Sequence, residues 1–167
     1  LWTVRGDPGA ATRALLAGEA DVWEAVRPDA MAQVTASPDV RAVPYASLDE
    51  GLVAFNLRDR SATGRAHPLF ADRALRRALA AAVDRATLAR NVFDTLAYAP
   101  VPPVPRAVSG WDAATVGPAY APDAARAALE ALGWRDTDGD GVRERDGRPL
   151  AFSLLVPTSS ATRMRYA

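Results

Sequence analysis

The run from Asp72 to Phe93 constrains the fold most, because it carries the clearest helical period in the chain. Alanine and leucine recur there every three or four residues, while the arginines of the run fall on other faces. Asp84 interrupts the run at a position where its carboxylate can accept hydrogen bonds from the free N–H groups of a new helix. The spacing therefore predicts two consecutive helices, each with an apolar face that must pack against another layer.

Short apolar runs on both sides of this helical region predict β-strands. The predicted strands are Leu1–Val4, Val22–Trp23, Val40–Tyr45, Gly51–Leu57 and Leu150–Val156. Further helices are predicted over Ala10–Leu16, Pro28–Val34 and Pro122–Leu132, and a polyproline-type connection over Pro100–Pro105. Gly133 stops the helix before it, which lets Trp134 fold back onto Leu129. Helices and strands that alternate through short loops are typical of an α/β fold.

Composition excludes several classes of function. The 167 residues carry 20 basic and 20 acidic side chains, so no net positive field favours binding to nucleic acid. No stretch approaches the roughly 18 consecutive apolar residues of a membrane span. The absence of cysteine excludes disulfides, thiol nucleophiles and cysteine-ligated zinc.

A single histidine, His67, is the first candidate for chemistry and lies before Pro68 in a polar loop. A hydrolase that combines His67 with a distant serine stays an alternative, because the fold, and not the sequence spacing, assembles a catalytic triad. The sequence contains no nucleophile elbow and no glycine-rich phosphate loop. Positive indications of an enzyme are therefore nearly absent, and a solvated or structural histidine is the simpler interpretation.

An acidic loop is the second candidate. Asp136, Asp138 and Asp140, followed by Gly141, match the first positions of a calcium loop, where alternate oxygens surround the cation. The match ends at the last position of that loop, where Gly147 replaces the bidentate glutamate. Asp-Gly pairs also favour the positive φ angles of hairpin turns. We expect a β-hairpin without a cofactor, and a calcium-binding structural or interaction module is the alternative function.

Five segments then follow one another in a recognisable order. They are Leu15–Val22 with Gly-Glu-Ala-Asp, Val53–Leu57 with Phe-Asn, Phe70–Arg85 ending in Ala-Val-Asp-Arg, Tyr120–Trp134 ending in Gly-Trp, and the Asp/Gly-rich Asp136–Leu155. Together these segments resemble the family 5 extracellular solute-binding proteins, the oligopeptide and dipeptide receptors of ABC importers. The resemblance covers nearly the whole chain, and it rests on the order of the motifs more than on any one of them.

The resemblance implies an α/β fold of the periplasmic-binding-protein type II kind, in which two lobes close over a solute. Residues 1–57 would form part of the first lobe, 58–70 a linker and 71–167 part of the second lobe. The resemblance also implies that the chain is a middle section of such a receptor, with a further long helix starting around Thr162.

The resemblance also indicates where a solute would be bound. It implies that Asn56, at the end of a predicted strand, and Thr158 and Ser159, in the turn after the last strand, are the ligand-binding residues. The ligand would be a peptide or another small solute, and the partner a membrane permease of an ABC importer. A receptor of this kind is periplasmic or extracellular, in some cases anchored as a lipoprotein. We also expect apolar surface on this section to favour self-association.

Overall fold

The computed structural model describes residues 3–59, 61, 64–99, 105–112, 114 and 117–166. The helices are α1 (Pro8–Leu16), α2 (Pro28–Ala36), α3 (Arg73–Ala81), α4 (Arg85–Phe93), α5 (Pro122–Ala131) and α6 (Ala161–Tyr166), with a 3-10 turn over Asp94–Leu96. The strands are β1 (Glu144–Arg145) and β2 (Arg148–Pro149). In the part of the chain so described, no helix is long and apolar enough to cross a membrane.

The N-terminal helices α1 and α2 pack against each other and bury Ala14 and Val34. Helix α1 begins before the predicted Ala10, because the Asp7 carboxylate accepts hydrogen bonds from the N–H groups of Gly9, at 2.9 Å, and of Ala10, at 3.2 Å. A proline occupies the first position of both α1 and α2, where a helix needs no N–H donor. The two predicted helices are thus confirmed, with α1 extended by its cap.

The predicted break in the long helical run is also confirmed. Asp72 caps α3 by accepting a hydrogen bond from the N–H of Ala74 at 2.8 Å. Asp84 caps α4 by accepting one from the N–H of Thr87 at 3.0 Å. Each aspartate satisfies N–H groups that the helix itself leaves without partners, so two short capped helices replace one long helix.

The main core lies between α3 and α5, which pack along their apolar faces. Leu75, Ala78, Leu129 and Trp134 are buried there, and Trp134 is only 2% exposed. Gly133 ends α5 with a φ of +85°, and the N–H of Trp134 then donates to the carbonyl of Leu129 at 2.9 Å. This C-terminal motif turns the indole back onto the helix that precedes it, as predicted.

Most of the predicted strands are not strands in the structure. Residues 3–4, 22–23, 40–45, 51–57 and 151–156 lie outside any strand, while residues 1–2 and 100–104 are not among those described. Apolar alternation indicates a pleated surface, but a strand forms only where a neighbouring strand pairs with its N–H and C=O groups. The prediction of these strands is therefore wrong for the described part of the chain, although Leu150 of the last run packs on the core.

The paired strands that do form belong to the acidic region. In β1 and β2, Arg145 faces Arg148 in an antiparallel pair. The two residues of the turn, Asp146 and Gly147, both have positive φ, at 54° and 70°. That combination matches a tight hairpin turn and explains the Asp-Gly sequence. The expected β-hairpin is confirmed.

Candidate functional site

Three phenylalanines and His67 connect the segments that carry the predicted ligand-binding residues. The ring of Phe70 lies 5.0 Å from that of Phe55 and 5.3 Å from that of Phe152, measured between centroids. His67 stacks on Phe70 at 4.7 Å and 18°. Phe70 is only 8% exposed, so it is the centre of this aromatic cluster. Through this cluster, the segment before Asn56 and the segment before the 157–160 turn both contact the side chain of Phe70.

The predicted ligand-binding residues are exposed. The Asn56 side-chain oxygen accepts a hydrogen bond from the N–H of Arg58 at 3.1 Å, as in an Asx turn. Thr158 and Ser159 form a turn that leads into α6, and both side chains face solvent. Among the described residues, no hydrogen bond joins Asn56 to either hydroxyl residue. The assignment of these residues to a solute site stays a prediction.

His67 has a structural role that the sequence did not reveal. Its Nδ1 accepts hydrogen bonds from the N–H groups of Leu69, at 3.1 Å, and Phe70, at 3.0 Å. An acceptor placed two and three residues before its donors caps the turn that leads into α3, as an N-cap side chain does. The Nδ1 lone pair is therefore engaged with the backbone.

The hydrolase alternative finds no triad geometry in the described residues. The Ser61 Oγ donates a hydrogen bond to Asp59 at 2.6 Å, and no hydrogen bond links it to His67. Hydrogen bonds from the Ser61 side chain and backbone, followed by the weaker attraction of Arg65, lower the pKa of Asp59 below its usual value. A triad needs the serine to donate to the histidine, whereas this serine donates to the carboxylate.

The acidic loop gathers all three predicted carboxylates and adds a fourth. Ligand oxygens of Asp136, Asp138, Asp140 and Glu144 lie within 4.8 Å of one another. Glu144, at position 9 when the loop is counted as a calcium loop, reaches the others because Arg135 and Glu144 form an antiparallel bridge. That bridge folds the loop back on itself. Counted from Asp136, the four clustered residues occupy positions 1, 3, 5 and 9 of a twelve-residue calcium loop, whose last position is Gly147 here.

Each carboxylate of the loop already has hydrogen bonds from the loop itself. Asp136 accepts from the N–H groups of Gly139 and Gly141, at 2.7 and 3.0 Å. Glu144 accepts from the N–H and hydroxyl of Thr137, at 3.1 and 2.9 Å. These bonds account for the aspartates as turn-forming residues. The absence of a cofactor stays a prediction, and calcium binding at the loop stays its untested alternative.

Comparison with known proteins places these features in a family. The family model described as bacterial extracellular solute-binding proteins, family 5 Middle, matches residues 2–167. The oligopeptide-binding protein AppA of Bacillus subtilis is 33% identical over 102 residues, which cover 57% of this chain and 18% of AppA. The oligopeptide-binding protein OppA of Mycobacterium tuberculosis H37Rv is 38% identical over 99 residues, covering 57% of this chain and 16% of OppA. The matched parts thus make up less than a fifth of the length of these relatives.

A solved structure shows the same fold. The oligopeptide-binding protein AppA of Bacillus subtilis, in complex with a nonapeptide, superimposes with a TM-score of 0.57 and 22% identity, over 87% of this chain and 28% of AppA. The match confirms the predicted fold class, a periplasmic-binding-protein type fold of which this chain forms one part. Since the family model covers residues 2–167, the chain belongs to the bacterial extracellular solute-binding proteins, family 5 Middle, as its five ordered segments indicated.

Proposed function

We propose that this chain is part of a peptide receptor that delivers its ligand to the membrane permease of an ABC importer. The family match over residues 2–167 carries the proposal, and relatives named as oligopeptide-binding proteins support a peptide as the ligand. We also propose that the protein acts outside the cytoplasmic membrane, in the periplasm or at the cell surface, with a lipid anchor as one means of attachment. It binds its solute without transforming it.

Within this proposal, Asn56, Thr158 and Ser159 contribute polar contacts to the peptide. Their exposure supports the assignment, and so does Phe70, which contacts Phe55 next to Asn56 and Phe152 in the segment before Thr158. An amide and two hydroxyls can both donate to and accept from a peptide backbone. Such groups orient a ligand, while most of the affinity comes from enclosing its surface.

The isolated 167-residue chain should bind peptides weakly, because its three candidate residues lie on open surface and do not enclose a ligand. We expect dissociation constants no better than about 1 mM, or roughly 4 kcal/mol. Calorimetry with a nonapeptide tests this expectation. A monomeric chain that bound the peptide at micromolar strength would show that the site is complete within these residues.

A chimera tests the function itself. The part of AppA that superimposes on this chain would be replaced by the chain, and binding of the nonapeptide would be measured by calorimetry. We expect binding that falls when Asn56→Ala is introduced. Circular dichroism of each protein verifies folding. Ser47→Ala serves as a matched control, because this exposed side chain accepts a hydrogen bond from the nearby N–H of Asp49 and from no other described residue. A folded chimera without peptide affinity would contradict the proposed function.

The exposed apolar residues outside the helices support the expected self-association. Leu155 is 95% exposed, Leu52 74% and Phe152 53%. Contiguous apolar surface on unpaired segments favours contact with another chain. Sedimentation velocity of the 167-residue chain should show species larger than a monomer, and Leu155→Glu should reduce them. A monomer at all concentrations would contradict this expectation.

A further inference from the structure

The segment before α5 forms a cluster of one cation and two aromatic rings that the proposed function does not yet use. The Arg106 guanidinium carbon lies 3.8 Å from the ring centroid of Tyr98 and 5.3 Å from that of Trp111. The backbone N–H of Arg106 donates to the Tyr98 hydroxyl at 3.0 Å. Two consecutive turns, closed by Val108 and Trp111 N–H groups at 3.0 and 3.2 Å, bring the indole back toward the arginine.

The guanidinium of Arg106 is held by ring faces and not by an acid. In the part of the chain that the structure describes, it makes no hydrogen bond and no ion pair. Arg126 and Arg143, by comparison, pair with Asp123 at 2.5 Å and with Glu130 at 3.3 Å. A guanidinium stacked flat on an aromatic ring keeps the N–H groups along its edge available for an acceptor.

The cluster also holds more hydrogen-bond donors than acceptors. The Nε1 of Trp111 is buried and has no partner among the described residues. The Tyr98 hydroxyl is already an acceptor for the Arg106 backbone. Unpartnered N–H groups beside a positive charge favour an anionic acceptor, because charge-assisted hydrogen bonds are shorter and stronger than neutral ones.

We propose that Arg106, held between Tyr98 and Trp111, binds the carboxylate of a ligand with an apolar or aromatic neighbouring group. One guanidinium matches one carboxylate in bidentate geometry and balances its single charge. The two rings offer apolar surface to the part of the ligand next to that carboxylate. In the context of the proposed function, on which this step rests, the carboxylate is the C-terminus or an acidic side chain of the bound peptide.

A direct test uses N-acetylphenylalanine and its C-terminal amide, which has the same apolar body without the charge. Heteronuclear NMR spectra of the 167-residue chain report on the Arg106 Nε–H and the Trp111 indole N–H. The variant Trp111→Phe identifies the Trp111 signal among those of the four tryptophans. We expect saturable shifts of both signals with the acid and none with the amide. Arg106→Gln should weaken binding roughly tenfold or more. Arg106→Lys should also weaken it, since lysine lacks the planar fork.

The control is Arg126→Gln, which removes another exposed positive charge, from α5, and should leave the response unchanged. Equal shifts with acid and amide, or an unchanged response in Arg106→Gln, would overturn the proposal. The AppA chimera separates this proposal from the proposed function. A chimera that binds the nonapeptide equally well with Arg106→Gln keeps the function and rejects the arginine site. A chimera without peptide affinity rejects the proposed function. If the NMR signals of the 167-residue chain still shift with the acid and not with the amide, the arginine site is kept.

Discussion

Replacing His67 isolates the contribution of a side chain that caps a turn and joins an aromatic cluster. His67→Ala removes the Nδ1 acceptor for two backbone N–H groups and the ring that stacks on Phe70 at 4.7 Å. His67→Asn keeps a short side-chain acceptor but loses the ring. The pair of variants therefore separates hydrogen bonding from stacking.

The contacts give the expected size of each effect. Loss of a capping acceptor costs about 1 kcal/mol, and loss of an aromatic contact about 0.5–1.5 kcal/mol. His67→Ala should thus lower the free energy of unfolding by roughly 2 kcal/mol, and His67→Asn by about half of that. For a domain of this length, about 2 kcal/mol corresponds to a fall in Tm of roughly 4–8 °C.

Urea denaturation and thermal melting of the three proteins measure these differences. The expected order of stability is wild type, then His67→Asn, then His67→Ala. If the two variants were equally unstable, the hydrogen bonds to Leu69 and Phe70 would contribute nothing. If both matched the wild type, neither the cap nor the stacking would matter, and the structural role assigned to His67 would be wrong.

Three further predictions concern the core, the helix caps and the acidic loop. Leu75 is 1% exposed, so Leu75→Ala should lower the free energy of unfolding, measured by urea denaturation, by about 2–5 kcal/mol. Val83 is 45% exposed, so Val83→Ala should lower it by less than about 1 kcal/mol. Equal losses in the two variants would contradict the assigned core. Hydrogen bonds from the backbone N–H of Thr87, and then from its hydroxyl, lower the pKa of Asp84 in the folded chain. The stabilisation from Asp84 is therefore complete above the pKa of an aspartate in the unfolded chain, about 3.9. It is lost as the pH falls through the lower pKa of Asp84 in the folded chain. Asp84→Asn keeps the cap but does not titrate, so its Tm should depend less on pH in that acidic range. An unchanged pH dependence would show that Asp84 does not contribute to the pH dependence of stability. Millimolar calcium should leave Tm unchanged if the acidic loop is only a hairpin, whereas a rise that Asp138→Asn removes would establish a cation site.

The helices could be predicted because their signals are local. Caps at Asp72 and Asp84, prolines at first positions and the glycine that ends α5 each act within a few residues. A residue's neighbours in sequence are its neighbours in a helix, so period and caps determine the element. The hairpin was predictable for the same reason, since Asp146 and Gly147 alone specify its turn.

The strands and the site could not be predicted to the same extent, because both depend on contacts between distant segments. The runs 40–45 and 51–57 have the composition of strands, but neither forms one. Only the end of the second run has a backbone hydrogen bond to another described segment, where the Leu57 carbonyl accepts a hydrogen bond from the N–H of His67 at 2.9 Å. Glu144 is held beside the aspartates by its bridge to Arg135 and by hydrogen bonds from Thr137. The stacking of Arg106 on Tyr98 likewise follows from the path of the chain and not from a motif. Tertiary placement, which no local period encodes, decides each of these features.

Among the described residues, the N–H groups of the segment 51–57 have no backbone partner, and this affects the free energy of ligand binding. α3 and α5 hold their amides in helical hydrogen bonds around Trp134, so these amides should exchange with solvent slowly, whereas the amides of 51–57 should exchange almost as in an unfolded chain. A ligand that fixes this segment must offset about 1–2 kcal/mol of backbone entropy for each residue it orders. In the isolated chain, the ligand itself must therefore impose the geometry of the contact proposed for Asn56. A polypeptide that paired with 51–57 in advance would raise affinity without touching the ligand.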